Sequence, residues 1–410
     1  MVSIKFFASL SKIVSVCGLS SVVLFLLFTG QVQAHCQNQS IISVDCGKTP
    51  SSVFDSAGYL WTVFVQNKHV YTGYSTDLGK TYKSLVKVNP VPEKIYTNGE
   101  NRPKIALGKN NEIYLSWTQK TKARFTGNIR FSRSLNNGVS FELPRTINDD
   151  DLPIGHRFDA LSVSQSGHVY LAWLDKRVSF RSKKQRQAYR GISVFYAVSS
   201  DQGKTFSKNK KVADHSCQCC RLAIAPYQKQ SVVLMWRHIF NKNTRDHAIA
   251  LLHPQKSTTL TRATVDDWRI DACPHHGPDM YFNQQGKYHL TWFSNGSIHK
   301  GIYYGLFDVK QATTHHVFSV DADPGASHPQ VIQFNNITYL VWKKFENNAT
   351  HLKLRVSKDS GKHWSLPISI AISSGVSDHP LLIINETSKP YVSWHTKKQG
   401  YQLIPIHVKN

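Results

Sequence analysis

"RFDALSVSQSGHVYLAW", residues 157 to 173, runs from a charged start through apolar positions to a Ser-Gly turn, then alternates into a closing tryptophan. Period-two segments joined by turn residues are the pattern of a strand hairpin. The pattern recurs as "RPKIALGKNNEIYLSW" from Arg102, "CRLAIAPYQKQSVVLMW" from Cys220, "GPDMYFNQQGKYHLTW" from Gly277, "HPQVIQFNNITYLVW" from His328 and "HPLLIINETSKPYVSW" from His379. A weaker first copy, "TPSSVFDSAGYLWTVF", starts at Thr49. Anchored on their second residues, the seven copies stand 51 to 63 residues apart, and each closing aromatic follows its anchor by 13 to 15 residues. A sustained period of this length means one supersecondary unit per repeat. The implied fold is all-β, a β-propeller of four-stranded blades, seven by this count and six if the first copy is discounted. After Trp394 only "YQLIPIHVK" remains before the final residue, one strand's worth, so the last blade lacks an outer strand. "QSIISVD", residues 39 to 45, is the segment expected to supply it.

Four further segments match one another: "STDLGKTY" (75 to 82), "SLNNGVSF" (134 to 141), "SSDQGKTF" (199 to 206) and "SKDSGKHW" (357 to 364). In such a turn the Asp side chain accepts from backbone N–H groups, the Gly takes a positive φ and the aromatic staples the hairpin to its neighbour. Their role is structural. The motif resembles the Asp-box, or BNR repeat, of the sialidase superfamily, and the resemblance covers essentially the whole chain after its N-terminal segment. "CQCCR" followed by "CPHHGP" is similar to a sialidase-like subgroup of unassigned function. Sialidases themselves have six blades.

The first 34 residues combine Lys5 and Lys12, the apolar "SVVLFLLF" and the small-residue end "QVQA", the layout of a secretory signal peptide. That apolar run is short for a membrane span, and no other stretch is long and apolar enough to cross a bilayer. The expected organisation is a signal peptide over 1–34 and a single propeller domain over 35–410, in the periplasm or secreted. Loss of Lys5 and Lys12 lowers the formal charge from +24 to +22. A field of that sign draws anionic small molecules or glycans and favours association with an anionic cell surface. Export makes nucleic acid an unexpected partner, and a monomer is expected.

Without Cys17 the cysteines are Cys36, Cys46, Cys217, Cys219, Cys220 and Cys273, an even number in an oxidising compartment. In a propeller the innermost strand of each blade begins near the central channel, so the residues just before the anchors face one another. Those positions hold Thr49, Arg102, Arg157, Cys220, Gly277, His328 and His379, and one place earlier Lys48, Asn101, His156, Cys219, His276, Ser327 and Asp378. Two chemistries follow. Soft thiolate and imidazole donors suit copper or zinc, with Cys217, Cys219, Cys220, Cys273, His276, His328 and His379 as ligands and His156 and His215 in reserve. Alternatively Cys219 or Cys220 bridges Cys273 while Cys36 bridges Cys46, and the histidines line a wet channel.

The sialidase resemblance implies a different use of the axis. It places three arginines, Arg102, Arg157 and Arg221, around a substrate carboxylate, with His156 beside them, because guanidinium meets carboxylate as a two-pronged donor. Arg237 and Arg245 are spare candidates. A sialidase-type exo-glycosidase acting on acidic glycans also needs a tyrosine nucleophile, a glutamate and an aspartate acid. Tyr303 or Tyr304, Glu100, and Asp159, Asp175 or Asp378 are the residues available by position, and no motif assigns the catalytic roles.

Overall fold

Apolar runs such as "LWTVFVQ", "VYLAWLD" and "VVLMWR" are buried at every position, as expected of strands covered on both faces by neighbouring sheets. In the computed structural model, which describes Cys36 and residues 40–256, 259–283 and 286–407, each is the second strand of a blade. The expected signal peptide lies outside the described residues.

Seven antiparallel sheets follow one another along the chain. Blade 1 runs from the strand Lys48–Phe54 to Lys83–Lys87, blade 2 from Lys104–Leu107 to Arg145–Thr146, and blade 3 from His156–Val163 to Lys210–Ser216. Blade 4 runs from Ala223–Pro226 to Leu260–Arg262, blade 5 from Asp279–Phe282 to Thr313–Asp321, blade 6 from Ala326–Phe334 to Ile368–Ser373, and blade 7 from Leu381–Ile384 to Gly400–Pro405. The first strands of successive blades touch, and that of blade 7 touches that of blade 1, so the ring is closed around an axis lined by first strands. The closing aromatics Trp117, Trp173, Trp236, Trp292, Trp342 and Trp394 are fully buried between blades, with Phe64 in their place in blade 1.

The four short turns fold as expected. In blade 1, Gly79 N–H donates to Ser75 Oγ at 2.8 Å and Thr81 N–H to Asp77 Oδ1 at 2.9 Å, and blades 2, 3 and 6 repeat the scheme. Gly79, Gly138, Gly203 and Gly361 all take positive φ. Three of the turn aromatics meet a ring of the preceding blade: Phe206 meets Phe131 at 5.0 Å, Trp364 meets Tyr304 at 4.8 Å and Tyr82 meets Tyr401 at 6.3 Å. These turns join third to fourth strands, so they lie on the face opposite the starts of the inner strands.

Among the described residues blade 7 has three strands, and residues 40–46 do not form a fourth. They seal the seam through side chains: Val44 packs with Phe64, Tyr391 and Tyr401, and Asp45 Oδ1 accepts from Tyr401 N–H at 2.9 Å. Cys36 bridges Cys46 beside them. Between the second and third strands of blade 3 sits the short helix Arg177–Lys184. No helix among the described residues is long and apolar enough to cross a membrane.

Candidate metal centre

The connection from blade 3 to blade 4 carries Cys217, Cys219 and Cys220, all buried. Cys217 N–H donates to Arg237 O at 3.0 Å, which fixes the loop to the second strand of blade 4. Cys217 Sγ lies 3.9 Å from Cys219 Sγ and 3.8 Å from Cys220 Sγ, and the three sulfurs are mutually within 4.8 Å. Cys273, exposed on the loop before blade 5, lies outside this group of three. All four are free thiols, so the bridge from Cys219 or Cys220 to Cys273 is not formed. The adjacent pair cannot readily bridge each other either, because the geometry is strained.

Two arginines clamp this loop pair. Arg245 Nη1 reaches Cys217 Sγ at 3.5 Å and Ala272 O at 3.0 Å. Arg237 donates to Arg245 O at 2.9 Å, His276 O at 3.0 Å and Phe293 O at 2.7 Å. Thiol donors at Cys219 and Cys220, with Arg237 and Arg245 adding positive charge, hold the Cys217 thiol well below its ordinary range. A hydrogen bond from Cys219, with Arg245 and Arg157 nearby, lowers Cys273 to about 7. Cys219, through its hydrogen bond to Cys217, and Cys220, through burial, are pushed the opposite way, so Cys217 and Cys273 are the thiols poised as thiolate, the form that binds metal.

The histidines assemble separately, on the axis. His328 and His379 stack at 3.5 Å, and His276 lies 5.0 Å from His328. Glu100 Oε1 is 3.8 Å from His328 Nε2 and 3.7 Å from His379 Nδ1. The Nδ1 atoms of all three histidines are buried without a hydrogen-bond partner. His328 takes a left-handed φ of 54°, as do Thr49 and Phe158 at the corresponding places of blades 1 and 3. Burial, with Arg237 and Arg221 adding to it, lowers His276 to about 3, so the ring is neutral.

The arginines are engaged by the protein itself. Arg221 pairs with Glu100 Oε1 at 2.7 Å and donates to Pro278 O and Pro329 O, while its backbone N–H and that of Gly277 bond Glu100 Oε2. Arg102 pairs with Asp378 and donates to Pro50 O at 2.6 Å. Both staple inner strands together beside a cavity of about 350 Å³ that Glu100, Lys104, Asp279 and His379 also line. Arg157 does not join them: its guanidinium lies over Tyr96 and Phe125, each at 5.4 Å. His156 is buried, with Nδ1 on Gly127 O at 2.9 Å and Nε2 on Asp150 at 3.0 Å. A register shift opposite Trp173, with Phe158 left-handed, breaks the alternation at this strand start, so His156 is buried and Arg157 lies at the rim.

The remaining sialidase-type positions are also occupied. Asp159 accepts from Ser116 and Thr118, Asp175 pairs with Arg177, and Tyr304 bonds His289 at 2.6 Å inside blade 5. Tyr303 stacks on Trp292. The charged stretch "WRHIFNKNTRDHA", which follows an inner hairpin, is expected from the sequence to border the Cys/His cluster, and its Arg237 and Arg245 do so.

No family model and no curated protein matches this chain. Solved structures share its fold. A lectin from Burkholderia pseudomallei superposes with a TM-score of 0.55 at 10% identity, over 88% of this chain and 99% of that one. An ulvan lyase, bound to -[GlcA(1-4)Rha3S]-, gives 0.53 at 9% identity over 89% and 93%. A further polysaccharide lyase gives 0.53 at 13% identity over 88% and 90%. At such identities the likeness is one of fold: this chain's all-β propeller superposes on a lectin and on polysaccharide lyases.

Proposed function

We propose that this chain is an exported, periplasmic or secreted propeller that holds one thiophilic ion, zinc or copper(I), at Cys217, Cys219, Cys220 and Cys273. The observation that carries the reading is the spacing of 3.9 and 3.8 Å from Cys217 Sγ to the unbridged thiols of Cys219 and Cys220, with Cys273 on the neighbouring loop as the fourth ligand to close on the ion. Zinc in tetrahedral coordination, with Zn–S bonds of about 2.3 Å, sets its sulfurs about 3.8 Å apart. Copper(I) accepts the same soft donors. Cys273, exposed where the other three are buried, is the ligand through which an ion enters and leaves.

Charge decides between the thiol set and the axial histidines. Thiolates bring negative charge that a cation and the flanking Arg237 and Arg245 neutralise. The neutral imidazoles bring none, the neighbouring Glu100 is already paired with Arg221, and Arg102, Arg221 and Lys343 surround His379, so a second cation there meets opposing charge. The exo-glycosidase reading that the sialidase resemblance suggests has less support, because Arg102 and Arg221 hold Asp378 and Glu100 and Arg157 stands apart.

Protein purified without chelator is expected to carry one equivalent of zinc or copper by elemental analysis. Cys219→Ser/Cys220→Ser loses it, and His328→Gln/His379→Gln keeps it. Metal retained in the thiol variant would overturn the proposal.

A further inference from the structure

Residues 176–190, "KRVSFRSKKQRQAYR", hold seven basic residues and no acidic one. They form the connection between the second and third strands of blade 3, on the face where the inner strands begin. Arg177 anchors it, pairing with Asp149 at 2.8 Å, Asp150 at 3.0 Å and Asp175 at 2.9 Å. The other cations are left over. Arg181, Lys183, Lys184, Arg186 and Arg190 are exposed, and among the described residues none of them forms an ion pair.

Against this connection lies a groove of about 860 Å³, lined by Arg124, Lys176, Lys183 and Arg186 together with Phe125 and Tyr189, and by no carboxylate. Phe125 is 48% exposed at a left-handed φ of 61°, with Arg124 over its ring at 4.6 Å and Arg157 at 5.4 Å. We infer that this groove binds an acidic polysaccharide, its sulfate or carboxylate groups taken by Arg124, Lys183 and Arg186 and a sugar face laid on Phe125. Guanidinium matches such oxyanions as a two-pronged donor, and an aromatic face offers apolar contact that a bare charge patch lacks. A concave, cation-lined groove fits a chain better than a flat membrane surface. The inference is independent of the metal proposal.

Heparin oligosaccharide is the probe, titrated calorimetrically into the full chain at several salt concentrations. Lys183→Glu/Arg186→Glu is expected to weaken binding at least about tenfold and to lower the salt slope by about two contacts. Phe125→Ala is expected to weaken it severalfold with the slope unchanged. Lys80→Glu/Lys362→Glu, the same charge change on the opposite face, is expected to leave affinity within about twofold. Equal losses from both charge reversals would assign binding to the overall field and overturn the groove. So would single-stranded DNA or anionic vesicles bound as tightly as heparin with no effect of Phe125→Ala.

Discussion

Gly361 takes a φ of 90°, and a Cβ there would lie 2.0 Å from the hydroxyl of buried Tyr304. Gly167 has a similar φ of 87° with nothing within 4 Å. Gly167→Ala is therefore expected to cost backbone strain alone, about 1 kcal/mol, while Gly361→Ala adds steric displacement of the neighbouring blade for a total of about 2–4 kcal/mol. Urea midpoints of the two variants check the difference, and equal losses would contradict it. Chemistry confined to a few adjacent residues was legible in this way: the Ser, the Asp (Asn136 in blade 2) and the Gly of each turn bond as their spacing implies. His156 and Arg157 were not, because a register shift set by residues 15 or more positions away decides which of them faces inward. The thiols fall between the two cases. Their nearness was local and readable, whereas the arginine that joins them to the Cys273 loop, Arg245 on Cys217 Sγ and Ala272 O, is brought there only by the fold.

Between elements, Asp279 links blades 5 and 6, accepting from Val331 N–H at 2.9 Å through Oδ2. Burial pushes its carboxyl up to about 6, against an ordinary value near 3.9. A raised acid contributes its full stability below the ordinary value and loses it as pH rises through the folded value. Asp279→Asn, which keeps the acceptor, is thus expected to match wild type near pH 4 and to exceed it above pH 7 by about 2–3 kcal/mol. Thermal unfolding at the two pH values tests the sign. A variant less stable than wild type at pH 8 would refute it. The second strands and their tryptophans were legible because a strand buried on both faces reads as an apolar run. The fourth strand of blade 2, Arg145–Thr146, is two residues long and leaves little pattern. The expectation of a closing strand from residues 39 to 45 failed for a related reason, since apolar residues there serve side-chain packing instead of a ladder.

For the whole ring, seven repeats made the architecture readable, and closure is where it departs from expectation. Tyr401 of blade 7 bonds Ser52 of blade 1 at 2.7 Å, and Ser52 bonds Thr62 at 2.8 Å, which bonds Tyr82 at 2.9 Å. Tyr401→Phe removes the link across the seam and is expected to cost about 1–2 kcal/mol in urea unfolding. No loss would mean that Val44 and its apolar neighbours close the ring unaided. The sequence pooled seven cysteines and histidines as one ligand set, and the ring divides them into a thiol cluster between blades 3 and 4 and a histidine cluster on the axis. That division makes the metal claim testable by the atoms around the ion. X-ray absorption at the metal edge of protein purified without chelator is predicted to show a first shell of sulfur at about 2.3 Å. A shell of nitrogen and oxygen, or no metal together with no free thiol, would contradict the account.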